Sequence, residues 1–159
     1  MKSKFTMTWG AEELARALKV TIQDIREYFT DGRRVSFIIE RRLKWEHPGW
    51  ELAPSEGAGF DLLDPAGKLW EVRSITRGGV YFTPSNQVGS GRKFNETAFL
   101  TKLDSVEGFI LADIVEFPTV TLFKIPTDLV RGWYLKNQLH TSAKISRALF
   151  HSRLGPQLT

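Results

Sequence analysis

Two carboxylates and a cation are expected on one face of a β-hairpin in the middle of the sequence. Two apolar runs flank Asp64-Pro65-Ala66-Gly67, a turn sequence with Pro at a favoured position and Gly where a left-handed residue is needed. Counting outward from a three-residue loop places Asp61 opposite Glu71, and such cross-strand partners share a face. Arg73 lies on that face too, because side chains alternate along a strand. Two carboxylates so close repel each other unless a cation intervenes, and carboxylates that leave positions for water suit Mg²⁺.

The elements around this hairpin predict an α/β fold. The spacing of apolar residues predicts helices over 12–18, 21–29, 33–45, 95–103, 128–138 and 142–151. Strands are predicted over 60–63, 69–75, 80–82, 109–115 and 119–125. The face of the second hairpin strand that carries Trp70 and Val72 is predicted to be core. Helices therefore flank a sheet, with a helix-rich cap at the N-terminus.

The hairpin resembles the motif of the PD-(D/E)XK nuclease superfamily, whose fold is that of many restriction endonucleases. The resemblance rests on Gly59-Phe60-Asp61-Leu62 followed, after the turn, by Leu69-Trp70-Glu71-Val72-Arg73. The family has an Asp on one strand and Glu-x-Lys on the next, and its first helix offers a further carboxylate, for which Glu40 is the matching position. Its order of helix, three antiparallel strands, helix and strand matches the elements predicted between residues 33 and 125. Arg73 departs from the pattern, because the family has Lys there.

This resemblance implies a restriction-endonuclease-like mixed β-sheet flanked by helices over residues 32–159, behind a helical cap over residues 1–31. The implied activity is Mg²⁺-dependent hydrolysis of DNA phosphodiester bonds, as in type II restriction enzymes, with Mn²⁺ as an expected substitute. Asp61, Glu71 and the backbone carbonyl of Val72 would hold the metal, and Glu40 would be accessory.

Arg73 would orient the attacking water and stabilise developing charge, but a guanidinium stays protonated and is a poor base. Cutting both strands of a duplex implies a homodimer. Because of Arg73, a non-catalytic DNA-binding protein on a nuclease-like scaffold is the alternative. A nuclease for branched DNA or for RNA is a further possibility that the sequence leaves open.

Residues after the hairpin supply candidate DNA contacts. Glycines allow backbone amides to approach phosphates, amide side chains read adenine edges, and basic residues precede a predicted helix. In similar nucleases this segment faces the DNA. The candidates are Arg77, Asn86, Gln87, Arg92 and Lys93. An ordinary solvated loop is the alternative.

Residues 11–25 resemble a helix-turn-helix, a common DNA-binding motif. Its apolar positions fall where the two helices would pack, although Lys19 stands where the turn usually has glycine. If the motif is real, the second helix would present Thr21, Gln23, Asp24 and Arg26 to base edges. The alternative is a pair of helices that only covers the sheet.

Composition narrows the classes of function. The 159 residues include 22 Lys and Arg against 18 Asp and Glu, a formal net charge of +4 that is compatible with a polyanionic partner. The absence of cysteine excludes zinc ribbons, iron–sulfur clusters, thiol nucleophiles and disulfides. The three histidines are too dispersed for a His-based metal site. With no apolar run long enough for a membrane span, we expect a cytoplasmic protein.

Overall fold

Helices and strands are distributed along the whole described chain. The computed structural model describes residues 2–55, 57–84, 93–140 and 142–154, with the backbone alone for residues 32–34. The strands are β1 Ser3–Thr8, β2 Glu51–Leu52, β3 Leu62–Leu63, β4 Leu69–Ile75, β5 Val80–Tyr81, β6 Gly108–Asp113, β7 Thr119–Pro126 and β8 Lys144–Ile145. The helices are α1 Ala11–Leu18, α2 Ile22–Thr30, α3 Gly32–Glu46, α4 Glu96–Ser105, α5 Thr127–Leu135 and α6 Arg147–Leu154.

The strands form a mixed six-stranded sheet in the order β1-β7-β6-β4-β3-β2, and β5 pairs separately with β8. Strands β4 and β6 run parallel, with Glu71 beside Phe109 and Ile75 beside Asp113. The other neighbours in the large sheet are antiparallel. A parallel pair needs a crossover connection, and α4 lies in the segment that connects β4 to β6.

The sheet separates two apolar cores. Helices α1, α2 and α3 pack on one face, where Trp70 and Val72 of β4 are buried with residues such as Ile25 and Ile39. The second core contains Ile75 of β4 and buried residues of α4, α5 and α6. Trp70 and Val72 are therefore core residues, as predicted. Because side chains alternate along β4, Glu71 and Arg73 belong to the face of the second core.

The predicted α/β class is confirmed, and β4 has the predicted bounds. The predicted strand over 60–63 is shorter, since β3 consists of Leu62–Leu63 alone. The helix predicted over 142–151 is partly wrong, because residues 144–145 pair with β5 and α6 begins only at Arg147.

Strand β1 is absent from the prediction, so the segment predicted as a helical cap also contributes an edge strand. Half-buried Ser3 and Phe5 and buried Met7 alternate with exposed polar residues, and this pattern is too short and polar to predict a strand. Pairing with β7, in which Phe5 lies beside Leu122, supplies the order that local sequence does not.

Candidate active site

The hairpin turn is held by one carboxylate. Oδ1 of Asp64 accepts hydrogen bonds from the backbone N–H of Ala66 at 3.0 Å and of Lys68 at 2.9 Å, and Oδ2 accepts one from Nε1 of Trp70 at 3.0 Å. Burial opposes ionisation of Asp64, but these hydrogen bonds hold its pKa below the usual value. Gly67 has a φ of +76°, in the left-handed region, as the predicted three-residue loop requires. The turn sequence thus sets the register of the strands that carry the site.

Asp61 lies just before β3, beside the part of β4 that continues past the start of β3. The register pairs Leu62 with Trp70 but does not extend to Asp61 and Glu71, and the N–H of Asp61 donates instead to the carbonyl of Trp70 at 2.9 Å. In a regular ladder the N–H of Val72 would donate to the carbonyl of the residue before Asp61. Instead it donates to Oδ2 of Asp61 at 2.7 Å. The Asp61 carboxylate therefore takes the place of a neighbouring strand's carbonyl as the hydrogen-bond acceptor at the open edge of β4.

Glu71 is a buried carboxylate contacted by two cations. Arg73 Nη2 lies 2.5 Å from Oε1, and Lys102 Nζ bonds to Oε2; only 5% of the Glu71 side chain is exposed. Lys102 also donates to the carbonyl of Gly59 at 2.7 Å, which ties α4 to the segment before Asp61. Arg73 Nη2 donates in addition to the carbonyl of Thr83 at 3.3 Å. Both basic side chains are thus anchored at the site.

Burial and neighbouring carboxylates disfavour ionisation of two acids at this site. Burial raises the pKa of Glu40 to about 7, and the negative charge of Asp61 adds to the effect. Burial likewise raises the pKa of Asp61 to about 6, together with the charge of Glu71. Arg41 acts in the opposite direction on Glu40, as do Arg73 and Lys102 on Asp61, but these cations do not restore the ordinary pKa of either acid.

The carboxylates at this site have the chemistry of ligands for a hard divalent cation, but they do not already form a complete coordination site. Within the described ranges, no group of three or more His, Cys, Asp and Glu side chains is arranged to hold a metal ion. Asp61 and Glu71 nevertheless offer the carboxylate oxygens that Mg²⁺ prefers, and the charge of Glu71 already disfavours ionisation of Asp61. Since both oxygens of Glu71 contact cations, a metal there would share an oxygen with Arg73 or Lys102, or displace one of them.

The structure brings together four residues that the sequence singled out: Glu40, Asp61, Glu71 and Arg73. The two predicted DNA contacts that the structure describes lie outside this cluster. Arg77 is exposed on the turn after β4, and Lys93 is exposed just before α4. The remaining candidates, Asn86, Gln87 and Arg92, lie outside the described residues.

Lys102 is the site residue that sequence analysis missed. Phe99 and Leu103 are the buried residues of α4, and the Lys102 side chain lies with them, only 10% exposed. A lysine one turn from Phe99 and next to Leu103 interrupts the apolar face of the helix. That interruption is a signal in the sequence, but a single misplaced lysine does not reveal its partner.

The N-terminal helix pair has the local geometry of the predicted turn. Lys19 adopts the left-handed conformation, with a φ of 55°. Thr21 and Asp24 form a capping box, with Thr21 N–H donating to the carboxylate at 2.8 Å, and Gln23 donates to a carboxylate on the same helix at 3.0 Å. Three of the four predicted base-contacting side chains are therefore engaged within α2, which leaves Arg26. The buried residues of both helices share a core with the sheet, so the pair at least covers it.

Comparisons of this chain with protein-family models, with curated proteins and with solved structures find no match. In the described part of the chain, no helix is long and apolar enough to cross a membrane. The class that the fold defines is an α/β protein with a curled mixed six-stranded sheet. Any function has to be inferred from the side chains at its sites.

Proposed function

We propose that this chain is a metal-dependent DNA endonuclease that hydrolyses phosphodiester bonds at the open edge of β4. One observation carries the proposal: Glu40, Asp61 and Glu71 approach one another, and the cations beside them do not restore the ordinary pKa of Glu40 or Asp61. Structural ion pairs tend towards charge balance, whereas a cluster in which carboxylates disfavour one another's ionisation is poised to accept a cation. The resemblance of the hairpin to the PD-(D/E)XK motif supports the same reading.

Asp61, Glu71 and the backbone carbonyl of Val72 would hold Mg²⁺, with Mn²⁺ as a substitute. When bound, such an ion polarises a phosphoryl oxygen and lowers the pKa of an attacking water. Asp61 is already positioned for this role because the Val72 N–H fixes one of its oxygens.

The PD-(D/E)XK motif has a lysine at the position that Arg73 occupies in this chain. Lys102 would supply the amine that is missing there. Its ammonium is anchored between Glu71 and the Gly59 carbonyl, so it would hydrogen-bond the attacking water or a phosphate oxygen next to the carboxylates. Arg73 would stabilise the negative charge that develops on the phosphate. Glu40, with a pKa of about 7, is suited to accept the proton that the water loses.

The proposed substrate is duplex DNA, and the proposed form is a cytoplasmic homodimer with one site for each strand. The formal net charge of +4 favours a polyanionic substrate. A two-fold dimer would favour a palindromic target.

The experiment is incubation of the purified protein with plasmid and phage DNA in Mg²⁺, in Mn²⁺ and in EDTA. We expect metal-dependent cleavage that falls by about 100-fold or more in Asp61→Asn, because a ligand for the metal is lost. Glu51→Gln is the matched control, since Glu51 is an exposed carboxylate on β2 and should keep full activity. Wild-type rates in Asp61→Asn, or intact DNA under every metal and pH, would overturn the proposal.

A second candidate is a non-catalytic DNA-binding protein. The observation in its favour is that Arg73 and Lys102 already contact both oxygens of Glu71, so this carboxylate is neutralised without a metal. DNA binding that is unchanged by EDTA, together with no cleavage under any divalent ion, would select this candidate.

A further inference from the structure

A polar cleft, separate from the Glu71 site, lies between α2 and the turn that joins β4 to β5. It has a volume of about 580 Å³. Gln23, Arg26, Glu27 and Thr30 of α2 form one wall. Thr76, Arg77 and Gly78 of the turn form the other, and Val115 and Phe117 complete the lining. The cleft thus joins the helix predicted to read DNA to the strand that carries Glu71.

The two walls each present a guanidinium to the cleft. Among the described residues, neither Arg26 nor Arg77 has an ion-pair partner or accepting group for its side chain. Both are exposed, whereas Glu27, the acidic lining residue, is hydrogen-bonded to Gln23 at 3.0 Å. Glu27 keeps its negative charge, since its partner Gln23 is neutral, so two arginines and one glutamate leave the lining with a formal charge of +1. This balance favours an anion, and the planar fork of Arg matches the oxygens of a phosphate.

The turn adds further donors. Thr76 and Gly79 close it with backbone hydrogen bonds of 3.1 and 2.9 Å, which leave the N–H groups of Arg77 and Gly78 at its tip outside the strand ladder. A side chain at Gly78 would bring its Cβ within 3.6 Å of the Lys144 ammonium, so a third cation lies beside the tip. Backbone amides and cations combined in this way are typical of phosphate contacts.

The shape of the cleft favours a polymer over a small molecule. Small ligands are usually enclosed on most sides, whereas Arg26, Thr30, Arg77 and Gly78 are all exposed. Arg77 follows Glu71 by six positions, the last two of them beyond the end of β4, so the two residues are at most about 20 Å apart. One duplex spans that distance in about six base-pair steps.

We propose that this cleft binds one backbone phosphate of a DNA duplex. Another phosphodiester of the same duplex, several base pairs away, lies at the Glu71 site. The assignment rests on the proposed function for its substrate, but its contacts are separate from the carboxylates. Arg26 and Arg77 hold the phosphate, and the tip amides position it. They contribute affinity without reading sequence.

The test measures binding without cleavage. A fluorescently labelled mixed-sequence duplex is titrated in EDTA, and anisotropy is recorded at several salt concentrations for wild type, Arg26→Gln, Arg77→Gln and the double variant. We expect the double variant to bind about tenfold more weakly and to lose about one unit from the slope of log K against log salt. Lys4→Gln is the matched control, because Lys4 is an exposed cation on β1, at the edge of the sheet opposite β2 and β3. It should change affinity by less than about twofold.

The outcomes separate this proposal from the proposed function. Unchanged affinity in the double variant, or an equal loss in Lys4→Gln, overturns the phosphate site even if the protein cleaves DNA. Weaker binding confined to the Arg26 and Arg77 variants supports the site even if no metal gives cleavage. A calorimetric titration with inorganic phosphate forms the second arm. Tight phosphate binding that needs both arginines, with duplex affinity unchanged in the double variant, would mean a site for free phosphate and would overturn the DNA assignment.

Discussion

Two buried carboxylates on the same face of the sheet have similar partners but different surroundings. Glu71 on β4 contacts Arg73 and Lys102, and Asp113 at the end of β6 contacts Arg147 at 2.8 Å and His151 at 2.7 Å. Both acids are almost fully buried, at 4% and 3% exposed. At the first, two further carboxylates join the cluster.

At Asp113 the only additional acid among the described partners is Glu116, which reaches Arg147 at 3.2 Å and is 70% exposed. The contacts of Asp113 with Arg147 and His151 tie the first turns of α6 to the end of β6, so they act as a structural clamp. Around Glu71, burial and the neighbouring carboxylates raise the pKa values of Asp61 and Glu40 despite the nearby cations. Burial with basic partners therefore does not by itself distinguish a candidate active site from a structural ion pair, and the gathering of several carboxylates does.

Removing one cation from each cluster should separate their roles most strongly. We expect Lys102→Ala to slow DNA cleavage by about 100-fold, because the anchored ammonium is lost from the reacting phosphate. Arg147→Ala should leave the rate per folded molecule within about twofold. Initial cleavage rates at saturating Mg²⁺ measure this, and equal losses in both variants would remove the distinction between the clusters.

Removing the carboxylates should have the opposite order of effects on stability. We expect Asp113→Ala to lower the free energy of unfolding by about 2 kcal/mol, because Arg147 and His151 lose their shared partner but can turn to solvent. Glu71→Gln should cost less than about 1 kcal/mol, since it also removes repulsion from Asp61. Urea unfolding of both variants at pH 7 measures the difference, and a larger loss in Glu71→Gln would contradict it.

The smallest expected effect is a pH dependence confined to the Glu71 cluster. The pKa of Glu40 rises from 4.5 in the unfolded chain to about 7, and that of Asp61 from 3.8 to about 6. A carboxyl with a higher pKa in the folded state binds more protons there. Its stabilisation is therefore complete below the unfolded value and is lost as pH rises through the folded value.

Without metal, the free energy of unfolding should thus fall by about 1–2 kcal/mol between pH 4.5 and 7, after allowance for partial exposure of Glu40. Glu40→Gln should reduce this slope, whereas Asp113→Asn should leave it in place. Thermal unfolding across this range in EDTA is the measurement. A slope that is unchanged in Glu40→Gln would show that the pH dependence arises elsewhere.

Much of the hairpin could be predicted because its information is local. Pro65 and Gly67 specify the loop, and the period of two along β4 puts Glu71 and Arg73 on one face. The late start of β3 at Leu62 could not be predicted, because it depends on the Asp61 carboxylate accepting the Val72 N–H in place of a strand carbonyl. The same limit applies to β8, whose two residues pair with β5 far back in the chain.

The sequence by itself determined the turn, the alternation of β4 and the charges available to the site, since neighbouring residues specify all three. Only the tertiary structure decided that Lys102, 31 residues beyond Glu71, completes the cluster, and that Arg26 and Arg77 face each other across a cleft. These contacts depend on how α2 and α4 pack against opposite faces of the sheet. Packing is set by the summed burial of apolar residues from distant segments. No short sequence motif specifies which residues a charged side chain on such a helix will contact.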